Sequence, residues 1–96
     1  MSDSGRAVID NALASRYELA LDGAIAFIDY RSRGKLRVLT HAEVPAALRG
    51  RGIGGVLAAG ALDLLRAQGG RVEARCAFVA QFIARNPRYQ DLLEQP

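Results

Sequence analysis

A change of hydrophobic period around a glycine-rich turn is the feature that most restricts how this chain can fold. Over residues 16–44, apolar and polar residues alternate as they do in strands that expose one face. Over residues 53–65, apolar residues recur at the i, i+3, i+4, i+7 spacing of an amphipathic helix. Between these stretches lies Arg49–Gly55, with four glycines, two arginines and one isoleucine. The pattern predicts a sheet followed by a helix that packs on it.

The alternating stretch divides into an antiparallel meander. An Asp22-Gly23 pair between two alternating runs is typical of a two-residue hairpin, since both positions must take positive φ. A second turn is expected at Arg31–Gly34. We predict strands over Arg6–Asp10, Arg16–Leu21, Ala24–Tyr30 and Leu36–Val44.

The second half of the chain predicts a β-α-β crossover. Gln68-Gly69-Gly70 supplies a glycine C-cap for the helix. A strand over Arg71–Cys76 then returns to the sheet, and the crossover should be right-handed. A second helix stops at Asn86-Pro87, and a third helical turn runs on through Leu93. The fold class is therefore α+β, with a mixed, mostly antiparallel sheet and two to three helices.

Composition restricts the class of protein further. The 96 residues form one domain, and half of them are hydrophobic without any run near the ~20 apolar residues that a membrane span needs. We expect a disordered tail over residues 1–5 and a single domain over residues 6–96. One cysteine excludes an internal disulfide and a cysteine-based zinc site, so we expect no metal and a cytoplasmic location. We expect a monomer or weak homodimer.

The net charge of +3 is mild, and the arginines are mostly dispersed along the chain. Nucleic-acid-binding proteins usually concentrate such charge in runs beside aromatic stacking partners, so nucleic-acid binding is not expected.

The Arg49–Gly55 segment suits a phosphate ligand. Glycines let backbone amides approach a ligand closely, and the following helix presents unpaired amides at the positive end of its dipole. Arginines add charge-assisted contacts to the same oxygens. The segment lacks the Gly-Lys-Ser/Thr of a Walker loop and the glycine order of the dinucleotide fingerprint. It predicts a pyrophosphate cradle, and the alternative is a solvated turn.

The Arg49-x-x-Gly52-x-Gly54 spacing resembles the Arg/Gln-x-x-Gly-x-Gly/Ala signature of the GNAT superfamily of acyl-coenzyme A-dependent N-acetyltransferases. The run Leu39–Gly54 closely resembles a minimal, single-domain subfamily. That subfamily also has a cysteine before a Phe-Val pair and an Asn/His-Pro-x-Tyr near its end, as in Cys76-Ala77-Phe78-Val79 and Asn86-Pro87-Arg88-Tyr89. The resemblance covers roughly residues 6–93.

The resemblance implies a GNAT-like α/β sandwich that lacks the superfamily's usual last strands. It implies acetyl-CoA as cosubstrate, with the pantetheine arm in a gap where Leu39–Val44 and Arg71–Cys76 splay apart. The cofactor-binding residues are then expected to be Val44, Arg49, Gly50, Arg51, Gly52, Ile53, Gly54, Gly55 and Asn86.

His41 and Glu43 are candidates for the general base. They lie two residues apart on a predicted strand, so their side chains share one face, with Thr40, Ala42 and Val44 on the other. An amine must lose a proton before it attacks a thioester, and either side chain can accept one. Glu43 is favoured because it is nearer the cradle and the superfamily often uses a carboxylate here. The alternative is a surface or structural hydrogen bond.

Cys76 and Tyr89 complete the catalytic candidates. Cys76 precedes a predicted helix, whose N-terminus favours the thiolate, so it is either an acyl acceptor or a small buried hydrophobe. GNAT enzymes usually transfer directly. Tyr89 follows Asn86 by three residues and resembles a superfamily tyrosine that protonates the departing thiolate; the alternative is a packing residue beside Phe82. The Pro87 between them departs from many members of the superfamily.

These observations together predict an N-acetyltransferase that moves an acetyl group from coenzyme A to an amine, with a protein or peptide as a suitable acceptor. The alternative is a non-catalytic acyl-CoA-binding sensor or interaction module.

Overall fold

A computed structural model describes residues 7–94 of the chain. The strands are β1 (Ile9–Asn11), β2 (Arg16–Leu21), β3 (Ala24–Arg33), β4 (Leu36–Glu43) and β5 (Arg71–Ala74). The helices are α1 (Ile53–Ala67) and α2 (Ala77–Arg85), and short 3-10 helices span Ala46–Leu48 and Pro87–Leu92. The α+β class is thus confirmed. The predicted first strand begins at Arg6, which lies outside the described residues; the observed strand begins at Ile9.

One five-stranded sheet has its strands in chain order, β1-β2-β3-β4-β5. All neighbours pair antiparallel except β4 and β5, which are parallel because α1 crosses between them. The predicted hairpin turn is confirmed, with φ of 53° at Asp22 and 78° at Gly23. The predicted end of β3 at Tyr30 is wrong. Arg31–Arg33 continue the ladder opposite β4, and the turn falls at Gly34, where φ is 61°.

A β-bulge interrupts the pairing of β3 with β4. Asp29 is opposite His41, whereas the next residue, Tyr30, is opposite Leu39, so Thr40 is the extra residue. The Thr40 hydroxyl donates to the carbonyl of Asp29 at 3.4 Å. The bulge therefore changes the simple alternation expected along β4 at Thr40.

Both helices pack on one face of the sheet. Apolar side chains of β2, β3, β4 and β5 on this face join those of the helices in a single core, which includes Tyr17, Leu19, Ile28, Leu39, Leu57, Leu62, Val72, Val79 and Ile83. We call this the helix face. Helix α1 ends as predicted, with Gly69 at φ 72° and the Gly70 amide donating to the carbonyl of Leu65.

The opposite face carries side chains that are mostly exposed or half-buried. We call it the open face; its residues include Ile25, Phe27, Asp29, Arg31, Val38, His41, Glu43, Glu73 and Arg75. Neither described helix is long and apolar enough to cross a membrane.

Candidate functional site

The predicted cradle forms the connection from β4 to α1. Gly50 and Gly52 both take positive φ, at 78° and 70°, and Gly52 is the N-cap of α1. A Cβ added at either glycine would meet nothing within 4 Å, so the space in front of the backbone is open. The amides of the first turn of α1 have no carbonyl of their own helix to bond. The segment thus combines an open approach with the positive end of a 15-residue helix.

A cavity of about 310 Å³ lies against this turn. Seven of the nine predicted cofactor-binding residues line it, namely Val44, Arg49, Gly50, Gly52, Ile53, Gly54 and Gly55. Leu48 and Phe78 line it as well, and Phe78 is 43% exposed. Phe78 is not among the predicted site residues, although it belongs to the Cys76–Val79 motif next to the predicted gap, which was the available signal.

The two arginines of the cradle have different partners. Arg49 Nε donates to the carbonyl oxygen of Val44 at 2.9 Å and so ties the cradle to the end of β4. Arg51 forms an ion pair with Asp22 in the β2–β3 turn, with Arg51 Nη2 2.9 Å from Asp22 Oδ2. Both arginines are exposed. Arg49 lines the cavity, whereas Arg51 reaches across to the hairpin.

Strands β4 and β5 separate near the cavity. They pair from Leu36 opposite Arg71 to Leu39 opposite Ala74. The amides of Arg75 and Cys76 then both donate to the carbonyl of Leu39, at 2.9 and 3.1 Å, which ends the ladder. β5 therefore stops two residues before the predicted Cys76, while β4 runs on to Glu43, paired with β3. The separation lies where the sequence analysis expected the splay.

His41 and Glu43 lie together on the open face beyond this separation. Their side chains share a face as predicted, with His41 Nε2 3.2 Å from Glu43 Oε1. Both are accessible to solvent, at 58% and 55% exposure. The imidazole also lies near Phe27, with the ring centroids 6.2 Å apart. If Nε2–H donates to Glu43, Nδ1 is left as a proton acceptor. The pair can therefore take a proton from an approaching amine.

Cys76 is the N-cap residue of α2, as predicted from its position before a helix. Its side chain is half-buried and packs against the core cluster. It does not line the cradle cavity.

Asn86 and Tyr89 lie at the other end of α2 from Cys76. Asn86 is the C-cap residue of α2, and its Nδ2 donates to the carbonyl of Phe82 at 2.7 Å. The Tyr89 hydroxyl donates to Asp63 of α1 at 2.9 Å, and the ring packs on Phe82 with centroids 5.9 Å apart. Burial and the Asp63 hydrogen bond raise the pKa of Tyr89. The structure does not bring these two residues to the cavity.

Among residues 7–94, no three His, Cys, Asp or Glu side chains are grouped so that they could hold a metal ion.

Comparisons with known proteins agree with this architecture. A family model described as GCN5-related N-acetyl-transferase matches residues 16–92. A relative from Bos taurus, called Protein NATD1, is 37% identical over 71 residues. The match covers 74% of this chain and 62% of that protein, so the chain accounts for about three fifths of its relative's length.

Proposed function

The chain belongs to the GCN5-related N-acetyltransferase family, and from this premise we propose that it binds acetyl-CoA and transfers the acetyl group to an amine. The observation that carries the proposal is the cavity of about 310 Å³ at the cradle. It reaches from the N-terminus of α1 to Val44 at the end of β4 and Phe78 in the first turn of α2. A single cavity thus joins the glycine-rich turn to Val44, which follows β4, and to Phe78 at the start of α2.

The residues around the cavity fit a pyrophosphate. The lining contains one arginine and no carboxylate, and four of its residues are glycines. A side chain at Gly50 or Gly52 would enter open space, so a ligand can approach the backbone of the cradle closely. Arg49 engages Val44 through Nε, so its terminal nitrogens stay available for charge-assisted contacts to oxygen. When bound, acetyl-CoA would supply an activated acetyl group as a thioester.

The chain would contribute a base and a surface from which the acceptor amine can reach that base. Glu43 and His41 are exposed on the open face, where an acceptor can reach them directly. We propose that this pair removes the proton from the acceptor amine, because an ammonium group has no lone pair with which to attack. A proton taken by His41 Nδ1 would leave an imidazolium paired with the Glu43 carboxylate. The roles of Asn86 as cofactor contact and Tyr89 as acid stay predictions, and neither residue lines the cavity.

Variants at Glu43 and Cys76 separate direct transfer from a covalent route. For direct transfer, Glu43→Gln should lower kcat by ~10²–10⁴-fold, because the proposed base pair loses the carboxylate that stabilises the His41 imidazolium, while Cys76→Ala retains most activity. For a covalent route, Cys76→Ala should abolish transfer and spare cofactor binding. Intact mass after incubation with acetyl-CoA tests for an acetyl-cysteine that hydroxylamine removes. We propose the direct route, and complete loss of turnover in Cys76→Ala with normal cofactor affinity contradicts it.

The function itself is tested by two measurements on the same preparation. Calorimetry gives the affinity for acetyl-CoA, and a panel of peptides and small amines with labelled acetyl-CoA, read by intact mass, gives transfer. Binding with transfer supports an acetyltransferase. Binding without transfer to any amine indicates instead the acyl-CoA sensor or interaction module, and absence of binding rejects both.

A further inference from the structure

A basic cleft of about 190 Å³ lies on the open face, apart from the cradle cavity. Strands β3, β4 and β5 form it, and Arg31, Arg33, Val38, Thr40, Glu73 and Arg75 line it. Val38 is 8% exposed and forms an apolar floor, whereas the three arginines around it are exposed. The bulge at Thr40 contributes its hydroxyl side chain to the lining.

The charge of the cleft is incompletely compensated. The lining contains three arginines and one carboxylate, Glu73. That carboxylate forms an ion pair with Nε of Arg75. Neither Arg31 nor Arg33 has an acidic partner among residues 7–94. Two unpaired guanidinium groups over an apolar floor are suited to carboxylates carried on an extended chain.

The cleft adjoins the proposed transfer site. Thr40 directly precedes His41 on β4, and Arg75 directly precedes Cys76. His41 and Glu43 lie on the same face of the sheet as the cleft. Because Thr40 is the extra residue of the bulge, the stretch from Val38 to Glu43 lies opposite four steps of β3, from Arg31 to Phe27, which is about 13 Å at about 3.3 Å per residue. An extended peptide of about four to five residues would cover the same length.

The two ends of this surface carry opposite charge. Glu43 and Asp29 lie beside His41 at one end, and Arg31, Arg33 and Arg75 lie at the other. A cationic amine followed by acidic side chains complements both ends. A phosphate backbone complements only the arginines and would be repelled by the carboxylates.

We propose that the basic cleft binds the acidic segment of a peptide acceptor and thereby presents the peptide's amine, about three to five residues away, to His41 and Glu43. This inference rests on the proposed acetyltransferase function, whose acceptor it assigns to a chemical class. Arg31 and Arg33 are the specificity-determining side chains, because neither guanidinium group forms an ion pair with a carboxylate among residues 7–94.

The test uses the full chain and two peptides. One has a free N-terminal amine, three neutral residues and three aspartates; the other has asparagine at the three acidic positions. The double variant Arg31→Gln/Arg33→Gln is compared with Arg85→Gln, which makes the same chemical change at an exposed residue of α2. Binding is measured by fluorescence anisotropy with the peptides N-acetylated, so that it does not depend on turnover. Transfer to the free-amine peptides is measured separately.

We expect the aspartate peptide to bind more tightly than the asparagine peptide. The double variant should bind the aspartate peptide roughly tenfold or more weakly, a change of about 1.4 kcal/mol. Its KM for the free-amine form of that peptide should rise by a similar factor. Arg85→Gln should match the wild type, and added salt should weaken binding. Equal affinity for both peptides overturns the proposal, as does binding of a single-stranded RNA in preference to the acidic peptide. Peptide binding without affinity for acetyl-CoA would reject the proposed transfer function and leave the cleft assignment standing.

Discussion

At the residue scale, two glycines of α1 differ in whether the structure has room for a side chain. A Cβ built at Gly60 would lie 2.3 Å from a Val8 methyl and 2.6 Å from the Val8 Cβ. A Cβ at Gly55 would meet only the edge of the Phe82 ring, at 3.8 Å, an ordinary contact. The segment before β1 therefore crosses α1 where the helix has no side chain. The sequence could not show that Gly60 is the covered glycine, because Val8 is far from it along the chain.

Matched alanine substitutions distinguish these two glycines. Gly60→Ala should lower the free energy of unfolding by about 1–3 kcal/mol, because the new methyl group would clash with the Cβ of Val8. A rotamer change does not move a Cβ, so only a backbone shift can relieve this clash. Gly55→Ala should leave stability unchanged or raise it by up to ~1 kcal/mol, since alanine is the better helix former. Urea unfolding of both variants measures the difference. Equal effects would show that Val8 does not pack on the helix.

At the scale of elements, the sequence predicted the turns and helix ends, because the conformation of these segments depends on a few neighbouring residues. The Asp22-Gly23 turn, the start of α1 after Gly52 and its glycine C-cap follow from positive φ and capping. The extension of β3 to Arg33 and the bulge at Thr40 depend on which backbone groups the neighbouring strand offers, so the sequence of β3 alone could not reveal them. The partners of the cradle arginines, Val44 and Asp22, are likewise chosen by the folded arrangement.

The ion pair between the β2–β3 turn and the cradle gives a prediction at this scale. Asp22→Asn should raise the affinity for coenzyme A by a few fold, because it removes a carboxylate that competes for Arg51. Asparagine tolerates the left-handed backbone that the turn requires at φ 53°. Stability should change by less than about 1 kcal/mol, since the pair is exposed. Calorimetry measures the affinity, with Arg51→Ala as the comparison, which should bind coenzyme A more weakly. A lower affinity in Asp22→Asn contradicts this account.

At the scale of the whole molecule, buried tyrosines set the alkaline limit of stability. On the helix face, Tyr17 and Tyr30 lie with ring centroids 5.0 Å apart, and Arg37 bonds both Asp10 and the Tyr17 hydroxyl. Burial is the main cause that raises the pKa of Tyr17 to about 12, and it also raises the pKa of Tyr30. The folded state thus holds the phenol protons more tightly than the unfolded chain, in which they leave near pH ~10.

This linkage predicts that the free energy of unfolding falls as the pH rises from about 10 to about 12. Below pH ~10 both states keep the Tyr17 proton, so its contribution is complete; above the folded pKa it is lost. Tyr17 alone should account for about 2–3 kcal/mol, at about 1.4 kcal/mol for each pKa unit. Urea unfolding across this pH range measures the slope. Tyr17→Phe should flatten it, and an unchanged slope in that variant would assign the alkaline loss to other groups.

The small size of the molecule makes its stability sensitive to the proposed ligand. The described chain has a radius of gyration of 12.6 Å. For a domain of about this size, each kcal/mol added to the free energy of unfolding raises the melting temperature by roughly 4–8 °C. Acetyl-CoA at 100 times its Kd stabilises the native state by about 2.7 kcal/mol. We therefore expect Tm to rise by roughly 10 °C or more, and adenosine, which lacks the pyrophosphate that we propose the cradle binds, to raise it much less.

Gly52→Val is the control that assigns this shift to the cradle. A valine at Gly52 would fill the open space in front of the turn and must also adopt a φ of 70°, which a β-branched residue resists. The variant should therefore have a lower Tm without ligand, and acetyl-CoA should no longer raise it. The informative quantity is the ligand-dependent increment, since the strain at Gly52 affects both samples equally. An increment as large as that of the wild type would place the ligand elsewhere, and no increment in the wild type would reject acetyl-CoA binding itself.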